Sequence, residues 1–259
     1  MLNSNTYVFG FAFAVTVIVA LMLSGAATVL KPFQEQNFLK EKQENILSVV
    51  GKVAPDDYKK FDSYIQSVVI DEQGNEVKNV KAFDINLAYD KKIRSKNPKH
   101  PLRYPLYIFE EGGKKTFILQ LAGVGLWGPI WGYLALDEDG NTVKKAVFDH
   151  KGETPGLGAE INTDGFENQF QNRKIMDESG AFVSVQVTKE AKSDDDPHNV
   201  DAISGGTITS TGVSNMLKED IRFYLTYINK SKKSLICQPQ LLLHRSRNRN
   251  RCSPKRTGN

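Results

Sequence analysis

The longest apolar segment of the chain lies near its N-terminus, where residues 7–30 contain no charged side chain. A helix of that length crosses the hydrocarbon core of a bilayer with some tilt. A cleaved signal peptide is the alternative, but the residues before the segment include no Lys or Arg, and the apolar run is longer than the usual core of a signal peptide. The pattern therefore predicts a single transmembrane anchor within residues 1–31.

Two hairpins are predicted in the middle of the chain. Residues 106–109 and 115–121 are apolar segments separated by Gly112 and Gly113, which favours adjacent strands joined by a tight turn. A second pair of strands is predicted on either side of the sequence Asp-Glu-Asp-Gly-Asn at 137–141, which is typical of a turn. These two strands cover residues 130–136 and 142–148.

The last strongly periodic segment predicts an amphipathic helix over residues 211–228. Ser210 or Thr211 is the expected N-cap, and Asp220 is expected on the polar face. Weaker patterns complete the prediction. They give a juxtamembrane helix at 34–53, a basic loop with several prolines at 84–105, a short helix at 165–173, a strand at 182–188 and a solvated turn at 193–197.

Charge is distributed unevenly along the 259 residues. The net charge is +4, but residues 230–259 contain nine Lys or Arg and no acid, so residues 1–229 carry a net charge of −5. Two interpretations of the basic tail are a patch for nucleic acid or anionic lipid and a disordered, solvated end; we favour the second, so no nucleic-acid partner is expected. Both cysteines lie in the last 25 residues, which argues against a structural zinc or iron–sulfur site in the body of the chain.

The segment most informative about chemistry is residues 201–211, Asp-Ala-Ile-Ser-Gly-Gly-Thr-Ile-Thr-Ser-Thr. Small and hydroxyl-bearing residues there stand directly before the predicted helix. A helix start offers unpaired N–H groups and the positive end of the helix dipole, which together favour a phosphate. The alternative is a loop that only caps the helix.

The sequence from Asp201 to Thr207 resembles the flavinylation motif of the FMN-binding domain family, in which an Asp and two variable residues precede Ser/Thr-Gly-Ala-Thr. In that family the Thr hydroxyl is esterified to the phosphate of FMN, which implies Thr207 here. Gly206 stands where the family usually has Ala, and this change leaves the acceptor hydroxyl in place.

Two more segments resemble the same family. Residues 152–158, Gly-Glu-Thr-Pro-Gly-Leu-Gly, are similar to a loop beside the flavin, and by themselves indicate a Pro-Gly turn. Residues 123–127, Gly-Val-Gly-Leu-Trp, resemble the turn found in the NqrC subunits of sodium-pumping NADH:quinone oxidoreductases more closely than its homologue in Rnf complexes. The resemblance implies cofactor contacts from Thr207, Ser204, Gly205, Gly206, Thr209, Trp127, Glu153, Thr154, Gly156, Leu157 and Gly158.

The roles of individual side chains stay open at this point. Trp127 and Leu126 either form an apolar surface that contacts the flavin ring or pack within the hydrophobic core. Glu153 hydrogen-bonds the flavin or caps its loop, and His150 contacts the flavin or caps the nearby turn. The sequence contains no catalytic triad, P-loop, metal-ligand set or dinucleotide-binding glycine motif, so we expect no complete active site in this chain alone.

The resemblance implies an α+β fold with one N-terminal transmembrane helix. The expected organisation is an anchor at 1–31, a juxtamembrane helix and connecting region at 32–100, an FMN-binding domain at 101–229 and the basic tail at 230–259. The implied function is electron relay through covalent FMN in a six-subunit sodium-translocating NADH:quinone reductase. The implied partners are the other five subunits, NqrA, NqrB, NqrD, NqrE and NqrF, together with a flavin transferase and membrane lipid.

Two other functions stay open. One is the FMN subunit of an Rnf-type complex, and the other is a membrane-tethered binding domain without redox chemistry. Orientation is also open, because Lys31, Lys40 and Lys42 follow the anchor and the positive-inside rule alone predicts a cytoplasmic domain. The family resemblance implies a periplasmic domain at the bacterial inner membrane, and we adopt that expectation.

Overall fold

A computed structural model describes residues 4–189 and 196–247 of the chain. Most of the turn predicted at 193–197, the last residues of the basic tail and Cys252 lie outside the described residues. Contacts between residues divide the chain into two units, Met1–Glu44 and Asn45–Asn259.

The first helix, α1, spans Ser4–Ser48 and contains the uncharged apolar segment at 7–30. Its apolar side chains from Tyr7 to Leu30 are exposed to solvent, and the helix is long and apolar enough to cross a membrane. The helix predicted at 34–53 is confirmed as a continuation of α1, but α1 ends at Ser48, earlier than predicted.

The second unit is built on an antiparallel sheet of five strands in the order of the sequence. Its strands are β1 (Ile65–Ile70), β2 (Tyr104–Glu111), β3 (Lys114–Val124), β4 (Pro129–Leu136) and β5 (Val143–His150). Both predicted hairpins are confirmed, because Gly112 and Gly113 join β2 to β3 and residues 137–141 join β4 to β5. Two short parallel strands, β6 (Gln186–Thr188) and β7 (Asn199–Asp201), form a second sheet.

Both faces of the five-stranded sheet are buried, since successive side chains of a strand point to opposite faces. Leu106 and Leu119 belong to the core on one face, which the final helix covers. Tyr107 and Ile118 belong to the core on the other face, which also contains Ile46 and Phe61. The fold is therefore α+β, as predicted.

The final helix, α5, spans Thr207–Arg247 and is longer than predicted at both ends. Its predicted apolar stripe is confirmed, from Val213 to Ile228, as part of the core. The predicted N-cap is wrong, because Ser210 lies inside the first turn, where its Oγ accepts a hydrogen bond from Ile203 N–H (3.1 Å). The helix also continues past residue 228, and Lys230 there donates to the Gln73 carbonyl (2.7 Å).

The prediction of a loop at 84–105 is wrong for the first half of that segment, which forms helix α3 (Leu87–Lys96). Asn86 caps this helix by accepting a hydrogen bond from Tyr89 N–H (3.0 Å), and Leu87 and Asp90 are buried beneath it. The prolines that suggested a loop, Pro98 and Pro101, follow the helix and do not interrupt it. The segment does contain a helix-start signal, because Asn86, a favoured N-cap residue, stands directly before the apolar Leu87. The basic, proline-bearing composition of the segment concealed this signal.

Three smaller differences concern short elements. The strand predicted at 182–188 is reduced to β6, because Ser184 has a positive φ of 67° that breaks the extended backbone. The helix predicted at 165–173 is one α-helical turn, α4 (Asp164–Glu167), followed by a 3₁₀ turn at Asn168–Phe170. Strand β1 and the short helix α2 (Phe61–Tyr64) were not predicted.

Candidate functional site

Three segments that lie far apart in the sequence meet at one end of the sheet. They are the turn between β3 and β4, the loop after β5, and the start of α5 with the residues before it. The turn is closed by a hydrogen bond from Gly125 N–H to the Gly128 carbonyl (2.8 Å). The turn and the loop are joined at their surface, where Trp127 Nε1 donates to Thr154 Oγ1 (3.1 Å).

Glu153 ties the three segments together from inside. Its side chain is buried, Oε1 accepts from Trp127 N–H (2.8 Å), and Oε2 accepts from the Thr209 hydroxyl (2.7 Å). Its own backbone N–H donates to His150 Nδ1 (3.1 Å). These contacts show Glu153 and His150 making the capping hydrogen bonds that were one of the two alternatives expected for each residue.

The hydrogen bonds of Glu153 favour the ionised form of its side chain. Burial by itself raises the pKa of Glu153, but the hydrogen bonds from the Thr209 hydroxyl and Trp127 N–H hold that pKa below its ordinary value. The side chain is therefore a carboxylate at neutral pH, and a carboxylate is an acceptor at both oxygens.

The hydroxyl groups at the start of α5 fall into two classes. Thr209 and Ser210 are each 1% exposed and are hydrogen-bonded inside the protein, to Glu153 and Ile203 respectively. Ser204 and Thr207 are exposed, and within the described part of the chain their hydroxyls make no hydrogen bond. Thr207 is also the first residue of α5, where the helix leaves N–H groups without an internal acceptor.

Exposed apolar side chains surround this end of the sheet. Trp127 is 69% exposed and Ile208 is 57% exposed, so the interpretation of Trp127 as ordinary core is wrong. Within the second unit, as far as the structure describes it, most of the large apolar side chains that are exposed lie on these three segments. They are Val124, Leu126, Trp127, Leu157 and Ile208.

The glycines of the predicted site have two different surroundings. Gly205 and Gly156 have positive φ values of 73° and 74° and lie in exposed turns. Gly158 is buried, and a Cβ there would lie 2.5 Å from Thr209 Oγ1 and 2.6 Å from Glu153 Oε2. A Cβ at Gly206 would lie 3.0 Å from Ile203 Cγ2, so Ile203 takes up part of the space that the family's Ala methyl needs.

The structure thus brings all eleven predicted site residues to the same three segments. Sequence reasoning missed Val124 and Ile208, which extend the exposed apolar surface. A signal for Ile208 exists, because it is an apolar residue out of phase with the buried stripe that begins at Val213. Val124 ends a strand inside a glycine-rich sequence and carries no comparable signal.

A second polar cluster was also missed, on the side of β3 that α5 covers. Asp220 was predicted on the polar face of the helix but is fully buried, where it pairs with Lys91 of α3 (2.5 Å) and accepts from Ala122 N–H (2.9 Å). Burial raises the pKa of Asp220 to about 6, although the Lys91 charge works in the opposite direction. This cluster fixes α3 and α5 to the strand that leads into the site.

Comparison with known protein families gives a match to the FMN-binding domain over residues 125–222. This match contains the three segments of the site apart from the end of β3.

Similar proteins are found among the NqrC subunits of Na(+)-translocating NADH-quinone reductases. The subunit from Neisseria meningitidis serogroup A is 33% identical over 244 residues, covering 85% of this chain and 92% of its own. The subunit from Pseudomonas aeruginosa is 34% identical, covering 83% and 90%.

Solved structures agree with the fold. The crystal structure of the corresponding reductase subunit from Parabacteroides distasonis has a TM-score of 0.66 and 39% identity, covering 77% of this chain and 96% of its own. The NqrC protein of Shewanella oneidensis has a TM-score of 0.65 at 23% identity, covering 75% and 98%, and supports the fold alone.

Proposed function

Because this chain belongs to the NqrC family of Na(+)-translocating NADH-quinone reductase subunits, we propose that it relays electrons within such a complex through FMN attached to Thr207 by a phosphoester. The FMN-binding domain at residues 125–222 supports FMN as the cofactor. The single observation that carries the assignment of Thr207 is its exposed hydroxyl at the first residue of α5.

The residues around Thr207 fit a flavin mononucleotide. Trp127, Leu126 and Leu157 offer exposed apolar surface of the kind that an aromatic ring system covers. The start of α5 offers N–H groups and a positive partial charge to the phosphate. A phosphodiester retains one negative charge, which a helix terminus stabilises by roughly 0.3–1 kcal/mol when exposed.

Competing hydroxyls in the same segment are less suitable acceptors. Thr209 and Ser210 are buried and bonded within the protein, while the Thr211 hydroxyl donates to the Thr207 carbonyl (2.9 Å). Ser204 is exposed but stands before the helix, outside its first turn. A flavin transferase would join the Thr207 oxygen to the phosphorus of an activated flavin nucleotide, and the displaced group would leave with the hydroxyl proton.

FMN supplies one-electron and two-electron redox chemistry when bound, and the protein supplies its position and surroundings. The three segments would hold the flavin ring, the phosphate and the attachment point together at one end of the sheet. The chain is a subunit of a multi-subunit oxidoreductase complex. The other five subunits, NqrA, NqrB, NqrD, NqrE and NqrF, and the flavin transferase are its proposed partners.

The chain is anchored in a membrane by α1. We propose that the domain lies on the periplasmic side of a bacterial inner membrane, as the family resemblance implies, although Lys31, Lys40 and Lys42 by themselves favour the cytoplasm. An Rnf-type role is not favoured, because the similar proteins found are NqrC subunits of sodium-translocating quinone reductases.

The proposal is tested by replacing Thr207 with Val, which keeps the branched shape and removes the hydroxyl. Full-length protein expressed with a flavin transferase should lose its in-gel flavin fluorescence entirely while remaining folded. Two controls, Thr211→Val and Ser204→Ala, remove neighbouring exposed hydroxyls and should keep the fluorescence. Fluorescent Thr207→Val protein, or loss of the signal in Ser204→Ala instead, would show that the attachment site is elsewhere.

A further inference from the structure

The contact between Glu153 and Thr209 joins the first turn of α5 to the loop after β5. Thr209 is 1% exposed and its hydroxyl donates to Glu153 Oε2 (2.7 Å). Successive residues of a helix are rotated by about 100°, so residues two apart lie on nearly opposite sides. Holding Thr209 inward therefore turns Thr207 outward, where it is exposed.

The same carboxylate sets the position of the apolar surface. Glu153 Oε1 accepts from Trp127 N–H (2.8 Å), so the backbone of the exposed tryptophan is fixed to the group that holds the helix. The backbone at two glycines packs closely against the Glu153 carboxylate. A Cβ at Gly125 would lie 2.6 Å from Oε1, and one at Gly158 would lie 2.6 Å from Oε2.

Both oxygens of the Glu153 carboxylate accept hydrogen bonds from the protein itself, Oε1 from Trp127 N–H and Oε2 from the Thr209 hydroxyl, and the side chain is buried. Thr209 is likewise committed to the protein and shielded from solvent. Both side chains connect the segments on which a ligand would lie.

We propose that Glu153 and Thr209 are a positioning pair. Their hydrogen bond fixes the rotation of the first turn of α5, presenting the Thr207 hydroxyl for flavin attachment at a set distance from Trp127. The inference rests on the proposed function, in which Thr207 is the acceptor, and adds that the acceptor is presented by a buried carboxylate on another segment.

The test uses full-length protein and two variants that break the pair. Thr209→Val removes the donor with little change in shape. Glu153→Met keeps an unbranched side chain of similar length that accepts from neither Thr209 nor Trp127. Thr209→Ser is the conservative variant, because it keeps the hydroxyl. Tyr224→Phe is the matched control, because it removes a buried hydroxyl of the same helix that donates to the Pro105 and Gln120 carbonyls.

Two measurements are made on each protein. The first is the rate at which an added flavin transferase attaches FMN to protein that was expressed without the transferase. The second is the rate of trypsin cleavage after the exposed Lys151 in the same flavin-free protein, which reports whether the loop is held without any flavin chemistry.

Thr209→Val and Glu153→Met should attach FMN about tenfold or more slowly, because small displacements of a reacting group have large effects on rate. Both should also be cut faster after Lys151. Thr209→Ser and Tyr224→Phe should match the wild type in both measurements.

Wild-type rates in Thr209→Val would overturn the positioning role, as would equal slowing by Tyr224→Phe, which would indicate a general loss of stability. These outcomes are separate from the test of the proposed function. Attachment that survives Thr207→Val contradicts the acceptor assignment whatever the two positioning variants do.

Discussion

Individual side chains at the site divide into those that face solvent and those that hold the backbone. Thr207 and Trp127 are exposed, whereas Glu153 and Thr209 are buried and bonded to each other. The resemblance to the flavinylation motif identified the segments, but it did not separate these two roles. Exposure depends on contacts between segments more than 50 residues apart, as with the Thr209 and Glu153 pair, and a local pattern does not contain them.

A prediction at this scale concerns Gly156 in the loop after β5. Its φ is +74° and a Cβ would meet nothing within 4 Å, so Gly156→Val introduces backbone strain of about 1–2 kcal/mol without a clash. Gly113→Val is a matched control, because Gly113 has φ +78° and equally open surroundings in the hairpin between β2 and β3.

Both variants should lose similar stability in thermal unfolding. The absorbance spectrum or reduction potential of bound flavin should change only in Gly156→Val, because only that loop adjoins Thr207. Identical flavin spectra, potentials and contents in the two variants would show that the loop is purely structural.

Elements with a regular period were predicted well, and elements held by distant contacts were not. The four strands of the two hairpins and the buried stripe of α5 follow from alternation and helical spacing. Helix α3 was missed because half of its ten residues are charged, and its place in the fold depends on Lys91 reaching Asp220 of α5. Strand β1 was missed because its sequence, Ile-Gln-Ser-Val-Val-Ile, does not alternate regularly between apolar and polar residues, although a turn sequence follows it at 71–75.

A prediction at this scale concerns two buried carboxyl groups beneath the helices. Burial raises the pKa of Asp220 to about 6 and that of Glu167, which accepts from Phe148 N–H (2.7 Å), to about 7. Both values exceed those of an unfolded chain, about 3.9 for Asp and 4.3 for Glu, so the folded protein binds these protons more tightly. Each group therefore contributes stability at low pH that is lost as pH rises through its folded pKa.

Urea unfolding of the chain from residue 45 onwards should show this loss, at most about 3 kcal/mol for Asp220 and about 4 kcal/mol for Glu167. Asp220→Asn should remove the part of the slope between about pH 4 and 6, and Glu167→Gln the part that extends to about pH 7. Asp62→Asn, at an exposed position, is the control and should leave the pH dependence unchanged. A slope that survives in both buried variants would contradict the assignment.

The whole molecule consists of an apolar helix and a domain with its own two-sided core. Residues 1–44 form one unit, and the sheet with its helices forms the other. The anchor and the fold class were predictable from composition and period, because both depend on large numbers of residues. The side of the membrane was not, since the lysines after the anchor and the family resemblance favour opposite faces.

A prediction at this scale is that protease added to intact cells with a permeabilised outer membrane cuts the domain. Lys151 and other exposed residues of the second unit offer cleavage sites. Immunoblotting should show loss of the full-length band, while a cytoplasmic marker protein stays intact. Complete protection until the inner membrane is lysed would place the domain in the cytoplasm. That is the side that the positive-inside rule predicts from Lys31, Lys40 and Lys42.

Hydroxyl groups at positions 207, 209, 210 and 211 are distributed around the first turns of one helix, so in the proposed function the helical phase decides which of them is presented for flavin attachment. One residue inserted before Thr207 would either shift the hydroxyls along the chain or rotate them by about 100°. In either case a different side chain would meet Glu153 and a different one would face outward. In the proposed function, the length of the Ser-Gly-Gly loop therefore matters to flavin attachment as much as the identity of its residues does.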